Sequence, residues 1–451
     1  MHIHTRRLIA FVFILIFLIC APILILYTAG YRYNLKKEEL QKTGALVLAT
    51  KPTGATIMLN KSLIEEKTPA RLNNILPDEY LVTLNAEGYY PWQKKLEVKV
   101  QETTFAEDIT LFQKTAPVKM NAEKINWLSF SPQNRFATFT IPTATGEDVY
   151  LQNLSNPTQQ DILFNEKTAI KDFKTTWTKD GSLVLLDYND KAMIVSNSIL
   201  IRRNFDISEL VKTNKLANFH WGEDSDSLFA QAENTIYQVD VSANKLNKIY
   251  DLPKTNKLVD FLIYNNTLYL IEQLGQKTYI TSTNVSGDNS NTLVKSIELK
   301  NAEQSFDTVF DNYIGVRDLA NNTYYLINTE VDRIAFYKEN VKNLDWHTKN
   351  DYLLFATDQD VSYLNLKDSE LKEKNITRFS QGVALARWHK SPNYSLFLQN
   401  NKLNIIELDE RNGHWVLNLP GENITDFQID AKSKNIYYLQ DGYLWRLQIA
   451  E

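Results

Sequence analysis

One change of period constrains this chain more than any other feature. After a single apolar run, Leu8–Ala29, hydrophobic residues alternate with polar ones almost to the C-terminus, in phrases that restart roughly every 40 to 45 residues. A period of two puts successive side chains on opposite faces of a strand, and a restart on that scale is how four-stranded sheets repeated around an axis look in sequence. The chain is therefore expected to be all-β beyond one N-terminal helix.

Length and composition narrow this further. At 451 residues the chain is too long for one hydrophobic core. Only 14 glycines and 12 prolines occur, too few for low complexity, while 23 tyrosines and 21 phenylalanines suit half-buried sheets. The net charge of −5 and the lack of any Lys/Arg block argue against a nucleic-acid partner. Cys20, the sole cysteine, lies in the apolar run, so the rest of the chain has neither a disulfide nor a thiol nucleophile.

The run LIAFVFILIFLICAPILILYTA carries no charge over about 22 residues and spans roughly 33 Å as a helix, enough for a bilayer core. Residues 1–7 form a short basic tail with Arg6 and Arg7, and Tyr27, Tyr31 and Tyr33 follow the run as an interfacial aromatic group does. A cleaved signal peptide fits less well: the apolar core is long, and Tyr27 stands where cleavage after Ala29 wants a small residue. We expect an uncleaved single-pass anchor at 8–29 and a linker at 30–43. Arg32, Lys36, Lys37 and Lys42 outnumber the basic residues before the span, so charge alone does not select the orientation.

From Gly44, short alternating segments (Leu46 and Leu48, Ile57 and Leu59, Val82 and Leu84, Leu96, Val98 and Val100) are separated by turn residues at Pro52-Thr53-Gly54, Asn60-Lys61, Leu76-Pro77-Asp78 and Glu87-Gly88. This pattern predicts a small β-sandwich over 44–113. The ordered set Gly44, Pro52-Thr53-Gly54-Ala55, Thr68-Pro69, Leu76-Pro77 with Tyr80, and Gly88-Tyr89 with Trp92 resembles the PEGA domain. The resemblance implies an all-β module of prokaryotic membrane and surface proteins. Asp78-Glu79 stands where that family often has a glycine, a departure confined to a turn.

Eight phrases then follow from 114 to 451, each an apolar strand, a polar turn and a second strand: NWLSFSPQNRFATF, TTWTKDGSLVLL, NFHWGEDSDSLFA, DFLIYNNTLYLI, DTVFDNYIGV, NLDWHTKNDYLLF, ALARWHKSPNYSLFL and DFQIDAKSKNIYYL. A third alternating segment follows each, and some carry a fourth, such as Leu293–Leu299 or Asp332–Tyr337. These predict the blades of a β-propeller, eight in number, or seven if the phrase around Asp307–Asn328 is absorbed elsewhere. Ser131-Pro132-Gln133-Asn134 and Lys179-Asp180-Gly181 resemble the turns of TolB-like and WD40-like propellers. The last phrase ends one strand short, and Pro117-Val118-Lys119-Met120 is expected to supply that strand and close the ring.

Chemistry is sparse. His220, His347 and His389 neighbour Trp221, Trp346 and Trp388 at one repeat position, which makes these six residues the candidates for a propeller-face binding site. The acidic runs Glu223-Asp224-Ser225-Asp226 and Asp358-Gln359-Asp360 do not complete a calcium loop. No catalytic, metal-binding or cofactor motif appears. The expectation is a non-enzymatic membrane-anchored protein whose propeller binds protein or envelope polysaccharide outside the membrane. The alternative is an envelope glycan hydrolase or lyase with carboxylates and arginine gathered on the propeller face.

Overall fold

A computed structural model describes residues 3–35, 37–154, 156, 160–196, 205–210, 215–222, 226–240, 243, 245–284, 290–297, 303–310, 312–331, 333–347, 349 and 351–451. Lys36, Glu223, Asp224, Ser225, Leu299 and Asp332, all named above, lie outside the described residues. The chain divides into two compact units, one of Met1–Ala116 with Ile406–Leu417 and Gln448–Glu451, the other of Pro117–Ile405 with Asn418–Leu447.

The first unit opens with a helix, Ile3–Thr28. Its Arg6–Thr28 portion, 23 residues with a mean hydropathy of 3.3, is long and apolar enough to cross a membrane, and none of it is buried in protein. The stretch expected as a linker contains a two-stranded hairpin, Tyr31–Asn34 against Glu39–Lys42. Two sheets follow. Gly44–Lys51 lies between antiparallel Ala70–Ile75 and parallel Thr103–Thr110, while the second sheet runs Ser62–Lys67, Thr56–Leu59, Asp78–Asn85, Trp92–Val98. Leu46, Leu48, Ile57, Val82, Leu84, Trp92, Leu96 and Val98 form a common core, as the sandwich pattern predicts. Gly44 is required by packing, since a Cβ there would sit 2.3 Å from the Lys99 carbonyl oxygen.

Between Val118 and Gln448 the described residues form eight four-stranded sheets. Numbered in chain order, their first strands are Leu128–Phe130, Lys174–Trp177, Ala217–Trp221, Lys257–Tyr264, Gln304–Phe310, Asn343–His347, Val383–Trp388 and Ile424–Ile429. The phrase around Asp307–Asn328 builds its own sheet, the fifth. Sheet eight takes its fourth strand from the far end of the unit: Val118–Lys119 pairs with Arg446 and Trp445. Met120 N–H donates to the Leu444 carbonyl and Leu444 N–H to Asn121 Oδ1, at 2.8 and 2.7 Å. The expected closing strand is therefore present, and it covers the edge that the last phrase leaves open.

The sheets pack face to face. In the second strand of sheet two, Val184 and Leu186 enter a cluster with Val149 and Leu151 of sheet one, while Leu185 enters a cluster with Phe219 and Leu228 of sheet three. Strands buried on both faces read as runs (LVLL, YLLF, SLFL) rather than strict alternation, for the reason that parallel-sheet strands do. Tyr437 and Leu444 of sheet eight share a cluster with Phe139 and Ile141 of sheet one, which closes the circuit. Tight hairpins at Asn189-Asp190, Asn265-Asn266, Asn400-Asn401 and Asp441-Gly442 hold both residues at positive φ, the conformation that two-residue hairpins favour.

Candidate functional site

In a propeller the first strand of each sheet lies nearest the axis, so residues on these strands decide what the centre offers a ligand. The six sequence candidates all sit at the ends of such strands. His220 and Trp221 end the first strand of sheet three, Trp346 and His347 that of sheet six, and Trp388 that of sheet seven with His389 just beyond.

Their side chains are engaged between neighbouring sheets. The Trp221 indole N–H donates to the Thr176 carbonyl of sheet two at 2.8 Å, and Trp346 meets Phe310 of sheet five edge-on at 4.8 Å. His347 stands edge-on to Trp388 at 5.9 Å, and its Nε2 lies 3.0 Å from the Lys390 carbonyl. The buried His347 Nδ1 has no hydrogen-bond partner among the described residues. Trp388 itself donates to the Tyr352 carbonyl. His389 is 3% exposed, and its Nδ1 accepts the Ser391 amide at 3.1 Å. Burial, assisted by the neighbouring Lys390 charge, pulls the His389 pKa down to about 3. The structure thus brings His347, Trp388 and the Lys390 carbonyl together, and places His220 and Trp221 three sheets and more away in chain order.

A second set of residues, not singled out by sequence, lies on the same strands. Asp345 in sheet six accepts the Trp388 amide at 2.6 Å, and Asn343 Oδ1 accepts the Ala386 amide at 2.9 Å. Arg387 donates from Nη1 to the Leu344 carbonyl at 3.2 Å and from Nε to Gln428 Oε1 of sheet eight at 3.1 Å, linking three sheets. Burial raises the carboxyls of Asp345 and Asp426 above their usual range, against the pull of Arg387 on both. Asp345, Arg387, Asp426 and Gln428 therefore form one half-buried polar cluster across sheets six to eight.

The same device recurs elsewhere in the circuit. Asp260 of sheet four accepts the Phe306 amide of sheet five at 2.8 Å through Oδ2 and lies 3.2 Å from His220 Nε2 of sheet three through Oδ1. Each carboxylate satisfies an amide that a neighbouring sheet turns toward it, a charge-assisted bond stronger than a neutral one. The sequence signal for these acids was an Asp immediately before the phrase aromatic, as in DFLIY, NLDWH and DFQID, but an acid beside an aromatic is too common to select by itself.

The acidic run Asp358-Gln359-Asp360 is engaged with lysines: Lys342 lies 2.6 Å from Asp358, and Lys338 3.3 Å from Asp360. Among the described residues no group of three or more His, Cys, Asp or Glu is arranged to hold a metal ion. At the Lys179-Asp180-Gly181 turn, Asp180 Oδ1 accepts the Ser182 amide while Gly181 takes positive φ, so this motif is a turn device.

In the first unit, Trp92–Val98 alternates inward and outward, and the inward positions are Trp92, Lys94, Leu96 and Val98. Lys94 is 4% exposed and pairs with Glu407 at 2.7 Å and Asp409 at 3.5 Å, while the Trp92 indole N–H donates to Glu407 Oε1. Burial pushes the Glu407 carboxyl up, and Lys94 opposes it. Arg411 forks onto Asp409 at 2.7 Å and also donates to the Phe105 carbonyl. Trp415 stacks on Phe112 at 6.1 Å. The segment Ile406–Leu417 thus completes the sandwich.

Residues 43–114 match the PEGA domain family. No curated protein sequence matches the chain. Among solved structures, the chain is similar to the Dos1 propeller at 10% identity and a TM-score of 0.46, covering 75% of this chain and 95% of that one. It is similar to U3-55K at 6% identity and a TM-score of 0.44, covering 74% and 98%. A eukaryotic initiation factor gives 12% identity and a TM-score of 0.46, covering 73% and 86%. The chain therefore carries a PEGA domain at 43–114, after an apolar N-terminal helix and before a β-propeller.

Proposed function

We propose that this protein is a membrane-anchored, non-enzymatic scaffold whose propeller presents a binding surface for protein or envelope polysaccharide outside the membrane. The observation that carries this reading is how the polar residues of the first strands are used. Asp345, Asn343, Asp260 and Arg387 all bond backbone groups of adjacent sheets. They act as parts of a rigid platform, and rigid all-β platforms with variable loops are suited to recognition.

The helix Ile3–Thr28 supports the anchor, and the PEGA domain supports an extracytoplasmic placement. Two experiments test the reading. Protease applied to intact cells is expected to shed the propeller, and a protected propeller would overturn the placement. The full chain in detergent is expected to retain purified envelope polysaccharide or an envelope protein, and loss of retention on substituting exposed propeller loops would locate the surface.

A hydrolase or lyase remains the second reading, because Asp345, Arg387 and Asp426 do gather on adjacent strands. Glycan release that disappears in Asp426→Asn while the fold is retained would favour it over the scaffold.

A further inference from the structure

The hairpin Tyr31–Asn34 with Glu39–Lys42 forms a sheet of its own, with no third strand among the described residues. A lone two-stranded hairpin is marginal in water, so something beyond its own ladder is needed to hold it. Its two faces differ. Tyr31 pairs with Lys42 and Tyr33 with Leu40, while Arg32 pairs with Gln41 and Asn34 with Glu39. Because side chains alternate along a strand, Tyr31, Tyr33, Leu40 and Lys42 share one face. Asn34, Gln41 and Glu39 hydrogen-bond to one another, with Asn34 Nδ2 donating to Gln41 Oε1 at 2.9 Å and Gln41 Nε2 to Glu39 Oε1 at 2.5 Å. On the other face Lys42 lies over the Tyr31 ring at 5.5 Å, and the apolar part is uncovered: Tyr33 is 54% exposed and Leu40 53%, with Leu35 at the turn 83% exposed.

The hairpin is also fastened to the helix end. Arg32 Nη1 donates to the carbonyls of Tyr27 and Tyr31, both at 2.8 Å, and the guanidinium lies 3.6 Å from the centre of the Tyr27 ring. A cation on the last carbonyls of a helix is favoured by the helix dipole. The first strand starts three residues after Thr28, and four-residue strands extend only about 13 Å. With the helix across a bilayer, both strands stay at the depth of the headgroups.

We propose that this hairpin is a membrane-interface element: its Tyr31, Tyr33, Leu35 and Leu40 surface rests at the headgroup–acyl boundary, and Arg32, Lys37 and Lys42 engage the phosphates of anionic lipid. The occupant is lipid because of the adjacent helix, the pairing of tyrosine with leucine and lysine on one face, and charge complementary to anionic headgroups. The proposal rests on the anchor reading above. It gives the hairpin a task, holding the strand that begins at Gly44 close to the membrane surface.

The test uses the full chain in a Cys20→Ser background, with Leu40→Cys or, as control, Glu66→Cys carrying an environment-sensitive fluorophore. The protein is reconstituted into phosphatidylcholine vesicles with and without phosphatidylglycerol. We expect blue-shifted emission and quenching by spin-labelled lipid at position 40 and not at position 66. Lys37→Gln and Lys42→Gln should each reduce the preference for anionic vesicles roughly fivefold. Equal emission at both positions, with the protein still in the vesicles after an alkaline carbonate wash, overturns the hairpin proposal and leaves the anchor standing. Release by carbonate, or recovery of a chain cut before Tyr31, overturns the anchor reading and the hairpin proposal with it.

Discussion

The two units meet the same demand, pairing polar groups among apolar strands, in different ways. The sandwich concentrates it: one ammonium, Lys94, lies inside the core and depends on Glu407, more than 300 residues away in sequence. The propeller distributes it, with an Asp, Asn or Arg on one first strand bonding the backbone of the next. Concentration makes a unit sensitive to one residue, because an unpaired buried charge is costly. Distribution spreads the same risk over many smaller bonds, each worth about 1 kcal/mol net.

This contrast can be broken by substitution. The largest effect is expected for Glu407→Ala, which leaves Lys94 with the Asp409 carbonyl and the more distant Asp409 carboxylate at 3.5 Å and should destabilise the sandwich by about 3 kcal/mol. Urea melts followed by limited proteolysis of the 43–114 region would measure it. The double variant Lys94→Met/Glu407→Leu should recover most of the loss, and failure to recover would mean that packing, not charge, is what Glu407 supplies.

Deleting Pro117–Asn121 comes next. It removes the strand that covers sheet eight, including the Met120, Leu444 and Asn121 bonds, and should cost about 3 kcal/mol. A thermal melt of the propeller that does not move would show that the closure is dispensable.

Asp345→Ala should cost about 2 kcal/mol by orphaning the Trp388 amide, with Asp345→Asn costing less because an acceptor remains. If alanine and asparagine behaved alike, the carboxylate-to-amide bridge would not be what holds sheets six and seven.

The smallest effect, taken per pH unit, concerns pH. His389 stays neutral in the fold down to about 3, against 6.5 in the unfolded chain, so the unfolded state takes up the proton first. Stability is therefore full above pH 6.5 and falls on acidification by up to roughly 1.4 kcal/mol per pH unit. Comparing urea midpoints of the native chain and His389→Gln between pH 7 and pH 5 isolates this slope, which the variant should flatten.

Much of the fold was legible because it depends on local pattern. Alternation and turn residues located the strands of both units, and the unfinished last phrase pointed to Val118–Lys119 as its partner. The site was less legible. The aromatic and histidine pairs were visible by repetition, yet repetition marks equivalent positions without saying whether a side chain faces solvent or a neighbouring sheet. His347, Trp388 and His389 proved to be buried between sheets. Asp345, Arg387 and Asp426 carried no motif, since three separate strands must meet before they become neighbours.

By itself the sequence determined the apolar helix, the period of two, the turn chemistry and the order of the phrases, because each is set by residues close together along the chain. Only the tertiary structure decided that Lys94 is matched by Glu407, that Ile406–Leu417 belongs with the sandwich, and that Asp345 bonds the amide of Trp388. Those pairings are fixed by burial: a polar group removed from water must find whichever partner folding brings to it, and distance along the chain does not say which one that is.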